Sequence, residues 1–77
     1  MSQNPPVARF RDQGLTVSVW ERVTDKGTFY DVSFSRSYKD QAGEWHNTGN
    51  CPSSEIQTLR KLLDLAHTEI LEWKAQE

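Results

Sequence analysis

Two stretches of alternating apolar and polar residues, joined by one short turn sequence, constrain the fold of this chain more than any other feature. The apolar positions are Leu15, Val17, Val19 and Val23 before the turn, and Tyr30, Val32 and Phe34 after it. A period of two with β-branched residues is typical of strands that bury one face, and it predicts strands over residues 15–23 and 28–38. The intervening Thr24–Gly27 has the composition of a turn, so the two strands are expected to form an antiparallel hairpin.

One register of this hairpin keeps the apolar residues on a single face. With Asp25 and Lys26 at the loop tip, or with all four turn residues in the loop, the facing pairs are Val19–Val32, Val17–Phe34, Ser18–Ser33 and Trp20–Asp31. A three-residue loop would mix apolar and polar residues on both faces, and register is strongly specified where one face is buried. We therefore predict the first register, with the apolar pairs facing the helix described below.

The rest of the first 51 residues adds two shorter strands. Residues 1–6 are polar and contain two prolines, so we expect a disordered tail there and a single domain over residues 7–77. Val7–Phe10 is predicted as a first strand and Glu44–Asn50 as a fourth. The length of the preceding loop decides which face Trp45 occupies, and the sequence pattern leaves that choice open.

A long amphipathic helix is predicted at the carboxyl end. Ser54 followed by Gln57 is a capping-box pattern, and the helix is expected to run from about Glu55 to Lys74. Its apolar residues recur at spacings of three and four, with Leu62 widening the stripe: Ile56, Leu59, Leu63, Ala66, Ile70 and Trp73. The fold class is therefore α+β, a four-stranded antiparallel β-meander followed by one long C-terminal helix.

The chain is short enough to need help in reaching useful stability. It has 77 residues and one cysteine, Cys51, which excludes an intrachain disulfide. With no disulfide and no metal site expected, self-association is the remaining source of additional stability. The helix supports it, since Leu65 and Leu71 lie outside the apolar stripe and Trp73 stands close to the chain end. We expect a homodimer with these three side chains at its interface.

The order of these elements resembles a known family, the positive-cofactor-four type of transcriptional coactivator with its bacterial and phage relatives, and also the plant Whirly proteins. The similar segments are Leu15–Glu21, Phe34–Asp40, Gly43–Trp45 and the helix from Pro52 to Ile70. Members of that family dimerise through their helices and bind single-stranded DNA with basic and aromatic side chains on the sheet. The resemblance implies the same fold and function here.

The residues themselves offer two candidate binding clusters. Trp20 and Phe29 lie on the polar parity of the hairpin beside Arg22, where they could stack on bases, or Trp20 could be covered by the N-terminal segment or a partner subunit. The second cluster is Arg36, Tyr38, Lys39 and Trp45. Its two rings either stack on bases or form a cross-strand Tyr38–Trp45 pair that leaves the cations free for phosphate.

The expected nucleic-acid-binding set comprises both clusters and Arg11, with Arg9 and Lys26 at its margins. The net charge of −2 supplies no overall basic field, so any anion-binding surface has to be local. Residues 1–51 carry six basic and six acidic side chains, whereas residues 52–77 carry three and five. A local basic surface is therefore expected in the first segment.

Catalytic chemistry has no visible basis in the sequence. The serines at positions 33, 35 and 37 lack a nucleophile elbow, and Cys51 has no basic neighbour. His46 and His67 show no zinc-ligand spacing, so no metal or cofactor is expected. No apolar run is long enough for a membrane span, and no targeting signal is visible.

Two functions follow as hypotheses. The first is a homodimeric binding protein for single-stranded DNA or RNA, serving transcription, replication or repair. It would be cytoplasmic, and nucleoid-associated in a bacterium. The second is a small dimeric adaptor that recognises a protein segment, for example by strand addition.

Overall fold

The computed structural model describes residues 5–76 and contains one sheet and one helix. The strands are β1 (Ala8–Asp12), β2 (Leu15–Thr24), β3 (Gly27–Lys39) and β4 (Trp45–Thr48), and a 3-10 turn (Ser53–Glu55) leads into helix α1 (Ile56–Ala75). The sheet is antiparallel throughout in the order β1-β2-β3-β4. The predicted meander followed by one helix is confirmed. Of the predicted disordered tail over residues 1–6, residues 1–4 lie outside the described range.

The central hairpin has the predicted register. Val19 faces Val32, Val17 faces Phe34 and Trp20 faces Asp31, with a two-residue loop at the tip. Because residues that face each other across a strand pair lie on the same side of the sheet, the parity of β2 fixes the parity of β3. The aliphatic residues Leu15, Val17, Val19 and Val32 thereby share one face of the hairpin with Phe34.

The turn between β1 and β2 depends on glycine. Gln13 and Gly14 both have positive φ, 52° and 84°, as a two-residue hairpin loop of this twist requires. A Cβ on Gly14 would lie 2.9 Å from the carbonyl oxygen of Ser37. The Ser37 amide also donates a 2.9 Å hydrogen bond to the Gly14 carbonyl, so the turn is held directly against β3.

The core lies between the helix and the first two strands. Leu15, Val17 and Val19 are fully buried against Leu62 and Ala66 of α1. The helix therefore packs with Leu62 near the middle of its buried side, while Leu63 and Ile56, two members of the predicted stripe, are 40% and 52% exposed.

The helix covers β3 only in part. Val32 was expected to face the helix with Phe34, and it does lie on that side of the sheet, but it is 43% exposed. The helix packs mainly on β1 and β2, so the middle of β3 lies beyond its cover. Phe34 still contacts the core, as a half-buried neighbour.

The predicted capping box is also absent. The α-helix begins at Ile56 after the 3-10 turn, and neither start has a side-chain cap. The Glu55 carboxylate instead accepts two hydrogen bonds from the Arg36 guanidinium, at 2.9 and 3.2 Å. This pair ties the start of the helix to β3.

Among the described residues, no helix combines the length and the apolar character that crossing a bilayer requires.

Candidate nucleic-acid interface

The register divides the sheet into two faces of different chemistry. The helix face carries the buried side chains and α1. The other side, which we call the open face, extends from the Arg22–Phe29 pair to the Lys39–Trp45 pair. Its members are Arg9, Arg11, Thr16, Ser18, Trp20, Arg22, Phe29, Asp31, Ser33, Ser35, Ser37, Lys39, Trp45 and Asn47. Within residues 5–76, no helix or strand packs across this face.

The open face is locally basic in a chain that is acidic overall. It carries the cations Arg9, Arg11, Arg22 and Lys39, and Asp31 is its one carboxylate among the described residues. The acidic side chains at positions 12, 21 and 55 belong to the helix face or to the helix start. The strands of the open face therefore carry more basic than acidic side chains, while Asp25, Asp40 and Glu44 lie in the loops at its two ends. A local excess of positive charge favours binding of an anion.

One end of the open face combines two aromatic rings with an arginine. The Trp20 indole N–H donates a 2.9 Å hydrogen bond to Ser33 Oγ, which fixes the position of the indole edge. The Arg22 guanidinium lies over the Phe29 ring, 5.2 Å from its centroid. We call Trp20, Arg22 and Phe29 the hairpin station.

Arg22 is also paired with Asp31 on the same face. Its guanidinium donates two hydrogen bonds to the carboxylate, at 3.0 and 3.2 Å, and both side chains are about half exposed. The side-chain hydrogen bond from Arg22 lowers the pKa of Asp31, so the carboxylate stays charged. Arg22 has donors left over, since a guanidinium has five N–H groups.

The other end pairs a lysine with the most exposed indole of the described chain. Lys39 faces Trp45 across β3 and β4, and Lys39 Nζ lies 5.9 Å from the Trp45 ring centroid. Trp45 is 68% exposed. The face of Trp45, which the sequence left open, is thus the open face. We call Lys39 and Trp45 the β4 station.

The region between the two stations is lined by small polar side chains. Its members are Thr16, Ser18, Ser33, Ser35, Ser37 and Asn47. Ser37 donates a 2.7 Å hydrogen bond to Asn47 Oδ1 across the last strand pair. Arg9 and Arg11 lie at the β1 edge of this region, opposite Ser18 and Thr16.

Arg36 and Tyr38 do not join this surface. Arg36 faces Leu15, whose side chain is fully buried, so both residues lie on the helix face. Arg36 is paired with Glu55, and both side chains are mostly covered. The expectation that Arg36 is free to bind phosphate is therefore wrong. The hydrogen bond from Arg36 lowers the pKa of Glu55.

The Tyr38–Trp45 pair considered from the sequence does not form, because β4 places the two rings on opposite faces. Tyr38 instead stacks on His46 at 5.3 Å between ring centroids. Sequence reasoning could not find this partner, since the parity of β4 depends on the length of the loop before it.

That loop contains a cluster that the sequence spacing did not reveal. Asp40, Glu44 and His46 have potential ligand atoms within 4.8 Å of one another. However, Asp40 Oδ1 already accepts hydrogen bonds from the backbone N–H groups of Ala42 and Glu44, and Oδ2 contacts His46 Nε2 at 2.6 Å. These hydrogen bonds, first the one from Glu44 and then the one from His46, lower the pKa of Asp40. They explain the cluster as a loop-forming arrangement.

The proposed dimer residues occupy different sides of the helix. Trp73 is half-buried and packs on Tyr30 of the same chain, with 5.3 Å between ring centroids. Leu71 shares one outer side with Ile56 and Leu63, since these positions are seven and eight residues apart, about two helical turns each. Leu65 lies on the other flank, and all four leucine and isoleucine side chains are 38% exposed or more.

Comparisons of this chain with protein-family models, with curated proteins and with solved structures found no match. The functional argument therefore rests on the geometry of the open face.

Proposed function

We propose that this protein is a binding protein for single-stranded nucleic acid, DNA in the first instance, which acts as a homodimer and not as an enzyme. One observation carries the proposal: the uncovered face of the sheet concentrates four cations and three aromatic rings in a chain of net charge −2. Unpaired bases stack on exposed rings, whereas a duplex keeps its base faces inside its own stack.

The open face places cations beside aromatic rings, and this arrangement supports the proposal. Trp20, Phe29 and Trp45 offer rings for stacking, and two of them have a cation within 6 Å of the ring centroid. A cation beside a stacking ring can meet the phosphate of the stacked nucleotide. Arg9 and Arg11 stand in a line along the β1 edge, where they can follow the backbone.

The homodimer is the part of the proposal that concerns the helix. The outer side of α1 carries three exposed apolar side chains, Ile56, Leu63 and Leu71, among polar ones such as Arg60 and His67. Burying a large aliphatic side chain contributes about 1.5–3 kcal/mol, which matters in so small a domain. A dimer formed through this side would leave both open faces available. Light scattering at micromolar concentration should give twice the monomer mass of 8.9 kDa.

The direct test is a titration of fluorescent oligothymidine with the protein, followed by anisotropy at several salt concentrations. We expect binding at low salt that weakens with a log–log slope of about −2 to −3, because up to four phosphates would be neutralised at about −0.7 each. A duplex of the same length is the control and should bind more weakly. The absence of binding at low salt would overturn the proposal.

A second candidate function, a protein adaptor, is favoured by one feature of the sheet. β4 pairs with only Arg36–Lys39, so for the first part of β3 the sheet ends at that strand. An extended peptide could add there as a further strand. Such binding would show little dependence on salt, which separates it from the first proposal in the same experiment.

A further inference from the structure

We propose that the open face binds a single strand at two separated stations, so that high affinity requires a minimum length of oligonucleotide. This inference rests on the proposed function. It adds what that function alone does not imply: a threshold in length, set by the distance between the hairpin station and the β4 station.

The strand register arranges the open face in rows that cross the sheet. The first two rows are Arg22–Phe29 and Trp20–Asp31, and the last is Lys39–Trp45. Between them lie rows centred on Ser33, Ser35 and Ser37. Every described aromatic ring of the open face thus belongs to the rows at the two ends.

The distance between the stations follows from the strand geometry. Trp20 faces Asp31 and Trp45 faces Lys39, so the two indoles attach at points eight residues apart along β3. At about 3.3 Å per residue, this separation is about 26 Å along the strand.

The rows between the stations offer hydrogen bonds but no stacking. The hydroxyl groups there are small, and Ser33 and Ser37 already bond to Trp20 and Asn47. A net hydrogen bond contributes about 0.5–1.5 kcal/mol, less than the contribution of about 1–3 kcal/mol from one stacked base. A strand that extends from one station over these rows gains hydrogen bonds and phosphate contacts with Arg9 and Arg11, but it gains a second stacked base only when it meets the other ring.

The threshold can be bounded from the rise of a nucleic-acid strand. A fully stacked strand advances about 3.4 Å per nucleotide, so about eight nucleotides would cover the span, and an extended strand would need fewer. We therefore expect the affinity to rise most between oligonucleotide lengths of about four and eight nucleotides. This range lies within the site sizes of about 4–16 nucleotides found for other single-strand-binding folds.

The experiment is a length series of oligothymidines of two, four, six, eight and twelve nucleotides, measured by competition against a labelled twelve-mer at low salt. The wild-type protein should gain about tenfold in affinity between four and eight nucleotides, and change little from eight to twelve. Trp45→Ala should remove this step, lowering affinity for the twelve-mer about tenfold while leaving the four-mer nearly unchanged. Trp45→Phe should keep the step.

The matched control is Tyr38→Ala. Tyr38 precedes Lys39 in β3, and its exposed ring lies on the helix face, so its removal should leave the step in place. Trp45 is largely exposed, so its replacement should leave folding intact, and circular dichroism checks this. A smooth rise of affinity with length, or a Trp45→Ala variant weakened equally for the four-mer and the twelve-mer, would overturn the two-station inference alone. Failure of every length to bind would instead overturn the proposed function.

Discussion

The two faces of this sheet come from the same alternating sequence, yet they are assembled by different forces. The helix face buries aliphatic side chains against α1, and its Arg36–Glu55 ion pair is mostly covered. On the open face none of the described residues is completely buried, and polar contacts such as that of Trp20 with Ser33 order its side chains. Stability is therefore expected to depend on the helix face, and recognition on the open face. Each prediction below tests this separation.

The largest effect is expected on the helix face. Leu62→Ala removes a side chain that is 4% exposed at the centre of the helix–sheet contact, and it should lower the free energy of unfolding by about 2–5 kcal/mol. Leu65→Ala is the control, since Leu65 is 38% exposed and its truncation should cost about 1 kcal/mol or less. Urea denaturation followed by circular dichroism measures both. Equal losses would show that the core has been located incorrectly.

The next effect belongs to the open face. Trp20→Ala should weaken binding of a twelve-nucleotide oligothymidine by about 1–3 kcal/mol, because one stacking ring is lost. Its effect on the urea midpoint should be small, since Trp20 lies outside the core cluster. Tyr38→Ala, on the helix face, should leave binding unchanged. A Trp20→Ala protein that binds normally but unfolds easily would reverse the assignment of the two faces.

These two faces were predictable from the sequence to different degrees. The register of β2 and β3 followed from parity alone, because a slip by one residue would expose Val17 and Val19. The exposure of Val32 did not follow, since it depends on where the helix lies across the sheet. The pairing of Glu55 with Arg36 was also missed. Local helix rules assign that carboxylate to the first turn, whereas its partner is 19 residues away in sequence.

The candidate site shows the same limit. Trp20, Arg22 and Phe29 were grouped correctly on one face, because they belong to the hairpin whose register was fixed. Arg36 and Tyr38 were grouped with Trp45 through closeness in sequence, although a strand places neighbouring residues on opposite faces. Only the loop from Asp40 to Glu44 decides the parity of β4, and its conformation depends on hydrogen bonds to Asp40.

A third prediction concerns the turn that is held against β3. Gly14→Ala should destabilise the fold by more than about 1 kcal/mol, because its φ is positive and its Cβ would lie 2.9 Å from a backbone oxygen. Gly43→Ala is a closely matched control, with φ of 87° and its nearest side-chain atom at 3.9 Å. The difference between the two urea midpoints isolates the steric contact from the backbone strain. A larger loss for Gly43→Ala would contradict the close approach of the turn to β3.

The smallest effect is expected for the stability contributed by the two ion pairs, which have similar geometry on opposite faces. Arg36–Glu55 is 2.9 Å long with side chains 23% and 21% exposed, whereas Arg22–Asp31 is 3.0 Å long with both side chains 55% exposed. Hydrogen bonding to arginine lowers the pKa of both carboxylates in the folded state. A depressed folded pKa means that the stabilisation is complete above the unfolded pKa and is lost as the pH falls through the folded value.

We therefore expect the stability difference between wild type and Glu55→Gln to be present at pH 6, to begin to fall as the pH drops below the ordinary glutamate value of 4.5, and to be lost as the pH passes through the lower folded pKa of Glu55. The same difference for Asp31→Asn should be smaller at pH 6 and should fall further in 0.5 M salt, because exposed pairs are screened. Urea midpoints at pH 3, 4, 5 and 6, at low and high salt, measure both. If Asp31→Asn showed the larger and less salt-sensitive effect, the open face would be contributing to stability as well as to recognition, and the separation of roles between the two faces would fail.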